Sequence, residues 1–202
     1  NSKKTGSENI LDANVENKKI MDFISFVNNF KEEVKKYTNK TDEQLPHFKA
    51  FENKIIEYGN IDNIINNLDN FSNWEMKRLL DLDSPILIEL FNSQKIMDYV
   101  KNNMSKEDIL NYGERLYNNS LIISTLLSLT NEELDGLSSY IIFNIFDKLP
   151  TDIQKQFIDS HMDFFEKNLG SIFSKSLSKD TFMTIFDKIS NYEIIKSKIR
   201  DI

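Results

Sequence analysis

Helix-start signals recur along this chain and constrain its fold more than any other feature. In a capping box, a Ser or Thr and an acidic or amide residue three positions later each bond the backbone N–H of the other. Five pairs have this spacing: Ser72/Glu75, Ser105/Asp108, Thr130/Glu133, Thr151/Gln154 and Ser190/Glu193. Ser84-Pro85 adds a sixth start, because Pro favours the first helical position. The chain is therefore predicted to be a series of mostly short helices.

Composition supports the same fold class. Five Gly and three Pro in 202 residues are too few for the turns of an all-β fold, and 40% hydrophobic residues suffice for a core. We predict an all-α single globular domain of about ten helices, built as a compact bundle or as irregular stacked helix pairs. The domain is expected over residues 13–202. Residues 1–12 are expected to be a flexible polar tether, because NSKKTGSEN has no apolar period.

Apolar spacing locates the first two helices. A long first helix is predicted to end near Tyr37, with one buried face made of Ile20, Met21, Phe23, Ile24, Val27, Phe30, Val34 and Tyr37. Pro46 is predicted to lie in the first turn of the second helix. Its buried side is expected to hold Phe48, Phe51, Ile55 and Tyr58.

Two apolar segments in the second half are predicted to be buried helices. Leu121 to Leu129 (LIISTLLSL) is apolar nearly all round, but it has half of the roughly 18 apolar residues that a membrane helix needs. A second helix is expected from Thr130 to Pro150, with Leu137, Ile141, Ile145 and Phe146 in the core. Its IFDK tetrapeptide, residues 145–148, recurs at 185–188. The recurrence is either a forty-residue repeat or a coincidence, since no third copy exists.

Charge excludes one class of partner. Lys and Arg number 25 and Asp and Glu 32, and the excess of seven acids lies entirely in residues 61–136, where six bases face thirteen acids. A nucleic-acid binder needs a basic stripe that displaces counterions from phosphate, and no region of the sequence supplies one. We expect no nucleic-acid partner.

The sequence offers no arrangement typical of a catalytic, metal or cofactor site. The chain has no Cys, and His47 and His161 stand in no ligand spacing. The pair Asp81 and Asp83 lacks the Gly of a calcium loop and is interpreted as a solvated corner. Side chains that are adjacent on a helix point apart, which argues against the three candidates for paired catalytic groups: Ser160-His161-Met162-Asp163, Glu32-Glu33 and Glu132-Glu133. No catalytic, cofactor or metal residue is assigned, and we expect a non-enzymatic protein.

The sole tryptophan, Trp74, stands beside Lys77 and Arg78 and has two interpretations. Trp and Arg dominate binding hot spots, so the group could anchor a partner. Tryptophans are also usually buried in large part, which favours a half-buried lid over the core. The residues that bind a partner are not assigned by the sequence.

A cysteine-free helical domain rich in Asn, Lys and Ile, behind a polar leader such as NSKKTGSEN, resembles the plasmid-encoded outer-surface lipoproteins of Lyme disease spirochetes, a Borrelia paralogous antigen family. The resemblance is one of architecture and composition over the whole chain. It implies a surface-exposed, non-enzymatic antigen that binds host or tick-vector proteins and contributes to virulence. It also implies a monomer held at the outer membrane by an N-terminal lipid anchor that lies outside this chain.

The alternative is an intracellular helical protein-interaction module, of repeat type or viral Bcl-2-like type. In that case the apolar helix at Leu121 to Leu129 would line a groove for a partner helix. The two hypotheses differ in what precedes Asn1 in the full gene product.

Overall fold

The computed structural model describes residues 6–36, 43–174 and 176–201, and this part of the chain is all-α, as predicted, with no strand. It divides into two compact units, Asn1–Tyr99 and Val100–Ile202. Each unit is described by itself. The prediction of one domain over residues 13–202 stays a prediction.

Six helices begin in the first unit. They are α1 (Gly6–Lys35), α2 (Leu45–Tyr58), α3 (Ile61–Asn66), α4 (Asn73–Leu79), α5 (Leu87–Phe91) and α6 (Gln94–Asn103), and a 3₁₀ turn at Leu68–Asn70 follows α3. Helix α1 packs along α2, and α3 packs against α5. Pro46 lies in the first turn of α2, as predicted. Tyr37, the predicted end of the first helix, lies outside the described residues.

An aromatic cluster forms the core between α1 and α2. The Phe30 ring meets the Phe51 ring edge-on at 4.9 Å, and Phe51 in turn meets Phe71 at 6.3 Å. Edge-to-face pairs of this kind contribute about 0.5–1.5 kcal/mol beyond their buried area. The cluster confirms the predicted burial of Phe48, Phe51 and Ile55, and Tyr58 is half-buried.

Eight further helices belong to the second unit. They are α7 (Lys106–Leu110), α8 (Ser120–Leu127), α9 (Asn131–Asp135), α10 (Ser139–Phe146), α11 (Thr151–Ser160), α12 (Met162–Lys167), α13 (Leu169–Ser174) and α14 (Lys179–Arg200). Helix α14 packs along α11 and α12, and α7 packs against α8. Five Phe rings from α10, α11 and α12 form the centre of the core: Phe143, Phe146, Phe157, Phe164 and Phe165.

The predicted helix starts are confirmed in part. Ser72 and Thr130 form complete capping boxes with Glu75 and Glu133, and the Ser105 hydroxyl accepts from the Asp108 N–H. In each complete box the glutamate also binds a lysine of an earlier helix. The Nζ of Lys54 lies 3.1 Å from Glu75 Oε1, and the Nζ of Lys106 lies 3.0 Å from Glu133 Oε1. The boxes therefore join helices as well as start them.

Two predicted starts are wrong: Ser190 lies inside α14, and the α5 helix begins at Leu87, two residues after Pro85. A third helix, α11, does begin at Thr151, but without the predicted cap, because Gln154 is buried. Its amide donates to Phe146 O at 2.8 Å and to Thr181 Oγ1 at 3.0 Å, which joins α11 to two other helices instead of capping its own. The hydrogen-bond partners of Gln154 are therefore set by tertiary packing, although its spacing from Thr151 suggested a cap.

Two predicted boundaries also shift. The expected helix from Thr130 to Pro150 is split, because α9 ends at Asp135 and α10 begins at Ser139. Within it Ile145 and Phe146 are fully buried, as predicted, whereas Leu137 and Ile141 are only half-buried. At the N-terminus α1 already begins at Gly6, so residues 6–12, expected in a tether, are helical. A solvent-exposed helix needs no apolar period, which is the signal that placed the boundary at residue 12.

Candidate protein-binding face

Helix α1 carries two apolar faces instead of the one that was predicted. Phe26, Phe30 and Val34 are buried and hold the helix to its unit. A second set is exposed to solvent: the exposed fractions are 54% for Ile20, 61% for Met21 and 46% for Ile24. The prediction that these three residues are core is therefore wrong.

Helical geometry explains the split. Each residue turns the helix by about 100°, so Ile24 and Phe26 point to nearly opposite sides. Ile20 and Ile24 are four residues apart and lie one above the other, and Met21 lies beside them. Ile10 and Ala13 fall on the same side and are also exposed. We call Ile10, Ala13, Ile20, Met21 and Ile24 the second apolar face of α1.

A groove runs beside this face. It has a volume of about 430 Å³ and lies between α1 and the turn that joins α2 to α3; its lining residues are Glu16, Lys19, Ile20, Phe23, Ile24, Gly59, Asn60, Ile61 and Asp62. Gly59 ends α2 with a φ of 76°, a left-handed conformation that favours glycine. Asn60 then caps α3, because its side-chain oxygen accepts from the Asn63 N–H at 2.8 Å. The sequence Gly59-Asn60 thus builds a tight wall opposite Ile20.

The open end of the groove is acidic. Lys19 Nζ lies 3.8 Å from Glu16 Oε1 on the same helix and 3.9 Å from Asp62 Oδ1 on α3. Two carboxylates and one ammonium group therefore flank the entrance on the α3 side, and together these three groups carry net negative charge.

On the opposite flank, α1 is joined to α5 by Lys18 and the carboxyl groups of Asp22 and Glu89. Lys18 Nζ lies 2.6 Å from Asp22 Oδ2 and 4.0 Å from Glu89 Oε1 of α5. Burial raises the pKa of the Glu89 carboxyl, and its hydrogen bond with Asp22 raises that pKa further. This side of the helix is therefore occupied by contacts to α5, while the groove side is open.

A second exposed apolar patch lies on α13 and α14. Phe173 and Phe186 are more than half exposed, and both contact Phe182: the ring centroids are 5.5 Å apart for Phe173 and Phe182 and 6.3 Å apart for Phe182 and Phe186. Phe186 is the counterpart of Phe146 in the IFDK recurrence, yet Phe146 is fully buried. The two copies of the tetrapeptide thus lie in different environments.

Trp74 is half-buried and covers part of the core, which is the interpretation that the sequence favoured. Its ring packs edge-on against Phe48 at 5.0 Å and Phe51 at 5.9 Å. The Arg78 guanidinium lies 5.1 Å from the Trp74 ring centroid, which covers the ring on another side. These contacts show that Trp74 packs against the core of its unit.

The residues that the sequence offered as candidate catalytic or metal-binding groups are separated from one another or have structural roles. His161 is buried, its Nδ1 lies 2.6 Å from Asn131 Oδ1, and burial lowers its pKa. The neighbouring Ser160 hydroxyl donates to Gln156 O. The Asp83 N–H donates to the Asp81 carboxylate at 2.9 Å, which is the corner that was expected.

The remaining candidates also have local roles. His47 is exposed and lies near the Trp74 ring. Glu32 and Glu33 pair with Lys35 and Lys36 respectively. Glu133 accepts from the Thr130 N–H and from Lys106, and these bonds lower its pKa. Among residues 6–36, 43–174 and 176–201 no cluster of three His, Asp or Glu side chains suited to a metal ion occurs.

The groove was not found by sequence reasoning. Its apolar α1 residues were predicted to lie in the core. Its wall is formed by Gly59-Asn60, a pair that in sequence indicates only a connection between two helices. The apolar residues Ile10, Leu11 and Val15, which precede the packed part of α1, are exposed as well. In the helix at Leu121 to Leu129, by contrast, Leu121, Ile122 and Leu126 are buried.

No protein-family model, curated protein or solved structure matches this chain. Within the described residues, no helix has both the length and the apolar character needed to cross a membrane.

Proposed function

We propose that this chain is a non-enzymatic protein-binding domain and that the second apolar face of α1, with its groove, is the contact surface. The observation that carries the proposal is the exposure of Ile20, Met21 and Ile24 within two turns of one helix. Contiguous exposed apolar side chains rimmed by polar groups are typical of interaction sites. Burying such a side chain from full exposure contributes roughly 1.5–3 kcal/mol, and because these three are about half exposed, they provide about half of that sum toward association.

The placement of this domain rests on the resemblance to spirochete outer-surface lipoproteins. We propose a bacterial cell-surface location and a host or tick-vector protein as the partner. Metabolic labelling of the natural gene product with palmitate, together with protease treatment of intact cells, tests the location. Lipid incorporation and loss of the protein under external protease are expected. A product that takes up no lipid and is protected in intact cells would support the intracellular alternative.

Two matched variants test the binding surface. Ile20→Asp/Ile24→Asp places charge on the second apolar face, and Met183→Asp/Phe186→Asp places the same charge on exposed apolar residues of α14. Both should keep the wild-type circular dichroism spectrum, because all four side chains are exposed. A panel of host and tick extracellular proteins is then screened by biolayer interferometry with the wild-type chain.

We expect each partner found to lose at least tenfold in affinity for the α1 variant and to keep its affinity for the α14 variant. Hydrogen exchange of the complex should show protection in residues 16–27 and 57–63. If the α1 variant binds as well as the wild type, or if only the α14 variant loses affinity, the α1 face is not the contact surface.

A further inference from the structure

We propose, on the basis of this function, that the groove beside α1 takes an amphipathic helix of a partner protein, with its apolar side on Ile20 and Ile24 and basic residues along one edge. The class of partner follows from the length of the face, the shape of the groove and the sign of the charge at its entrance.

The length of the face suits a helix. Ile10 and Ile24 are fourteen residues apart on α1, which corresponds to about 21 Å at 1.5 Å per residue. A helix of about four turns covers that distance with apolar residues at intervals of three and four. Ile20 and Ile24 supply the ridge of an i, i+4 row, into whose flanking grooves the side chains of a second helix can pack.

The groove has room for such a helix, and it suits a helix better than a peptide that binds as an added strand. Packed helices lie about 8–10 Å apart, so a helix seated on Ile20 and Ile24 would pass beside the Gly59 to Asp62 wall. Gly59 has no side chain, which allows close approach at this point. An extended peptide that binds by strand addition needs a sheet edge, and the described residues contain no strand.

The entrance selects for positive charge. Glu16 and Asp62 lie on the α3 side with Lys19 between them, so these three groups carry net negative charge. Lysine or arginine residues on the facing edge of a partner helix would pair with these carboxylates. Acidic residues there would be repelled. Opposite charges across an interface raise the association rate and reject partners of the wrong sign, and both effects weaken with salt.

Synthetic peptides of 18 residues test this inference. One is a basic amphipathic helix with Leu at intervals of three and four and Lys at the edges. The second replaces each Lys by Glu, and the third scrambles the basic peptide so that the apolar side is lost. A fourth copies residues 183–200 of this chain, which carry the basic last turn of α14. Binding to the full chain is measured by fluorescence anisotropy at two salt concentrations.

We expect the basic amphipathic peptide to bind at least tenfold more tightly than the Glu peptide and the scrambled peptide. Ile24→Asp should reduce its affinity at least tenfold, equivalent to about 1.4 kcal/mol. Glu16→Gln/Asp62→Asn should reduce it severalfold and flatten its salt dependence. Phe186→Asp and Asp163→Asn, which change exposed residues of the second unit, are the matched controls and should have no effect.

The remaining outcomes overturn the inference in distinct ways. Equal binding of the scrambled peptide would show charge attraction without a seated helix. Preferential binding of the 183–200 peptide, together with self-association of the chain that Ile24→Asp abolishes in light scattering, would identify a second copy as the occupant. If no peptide binds while Ile20→Asp/Ile24→Asp still abolishes binding of a screened protein, the proposed function stands and the helical partner is wrong.

Discussion

Helices α10 and α1 were predicted by the same argument, and they differ in how much of their apolar surface is buried. In α10 the residues Ile142, Phe143, Ile145 and Phe146 are all fully buried. In α1 half of the apolar residues are exposed, although they have the same helical spacing. Spacing therefore identifies which residues share a side of a helix, and it does not show whether another element covers that side. The following experiments test this difference, from the largest expected effect to the smallest.

The largest effect is expected from Phe146→Ala. This ring is fully buried against Phe157 and Phe165, so its removal leaves a cavity and should lower the free energy of unfolding by about 3–5 kcal/mol. Chemical denaturation followed by circular dichroism measures the loss. Phe186→Ala, in the second copy of the tetrapeptide, is the control and should cost less than about 1 kcal/mol because its ring is 51% exposed. Similar losses of stability for the two variants would contradict the difference in burial between Phe146 and Phe186.

Gly113→Ala tests how tightly α10 is packed. A Cβ at this position would lie 2.3 Å from Ile145 Cδ1 and 2.9 Å from the Leu110 carbonyl oxygen. Ile145 is fully buried and has no space into which to move, so we expect a loss of about 1–3 kcal/mol in the same denaturation experiment. Gly170→Ala is the control, because nothing lies within 4 Å of its Cβ position in α13. It should be neutral or stabilising, since alanine favours helices. A neutral Gly113→Ala would show that α10 is loosely packed.

Glu89→Gln tests the contact that holds α1 to α5. The pKa of Glu89 is raised above its ordinary value of 4.5, so its contribution to stability is fully present below pH 4.5 and is lost as the pH rises through the raised pKa. The amide carries no charge. At pH 7 the variant should therefore be more stable than the wild type, by less than about 1 kcal/mol because Lys18 offsets part of the cost of burying the charge.

The gain from Glu89→Gln should disappear by about pH 4, where the wild-type carboxyl is protonated. Melting curves of both proteins between pH 4 and pH 7 provide the comparison, with Glu107→Gln, at an exposed position, as the control variant. A variant less stable than the wild type at pH 7 would mean that the Lys18 ion pairs outweigh the burial of the carboxyl.

The smallest effect is expected from Ile24→Ala. Its side chain is exposed and contributes little to the fold, so the free energy of unfolding should change by no more than about 0.5 kcal/mol. Phe26→Ala, two residues away on the buried face, should cost several kcal/mol by cavity formation. A large loss for Ile24→Ala would place the second apolar face in the core and remove it as a binding surface.

Local chemistry made much of the fold predictable, and tertiary contacts account for most of the rest. Ser72 and Thr130 cap helices as their spacing predicts, because a cap involves only neighbouring residues. Gln154 has equally good spacing but bonds Thr181, which is 27 residues away. Ser178, which caps α14, was missed because Thr181 replaces the acidic residue of a capping box. The groove depends on the turn at Gly59 approaching α1, and no local pattern specifies that approach.

The separation of the second apolar face from the core has a consequence for how this protein can change over generations. Substitutions at Ile20, Met21 and Ile24 escape the selection for foldability that constrains Phe26 and Phe30, because the exposed side chains contribute little to stability. Copies of such a domain can therefore diverge in this exposed surface while the helices that display it keep their sequence and arrangement.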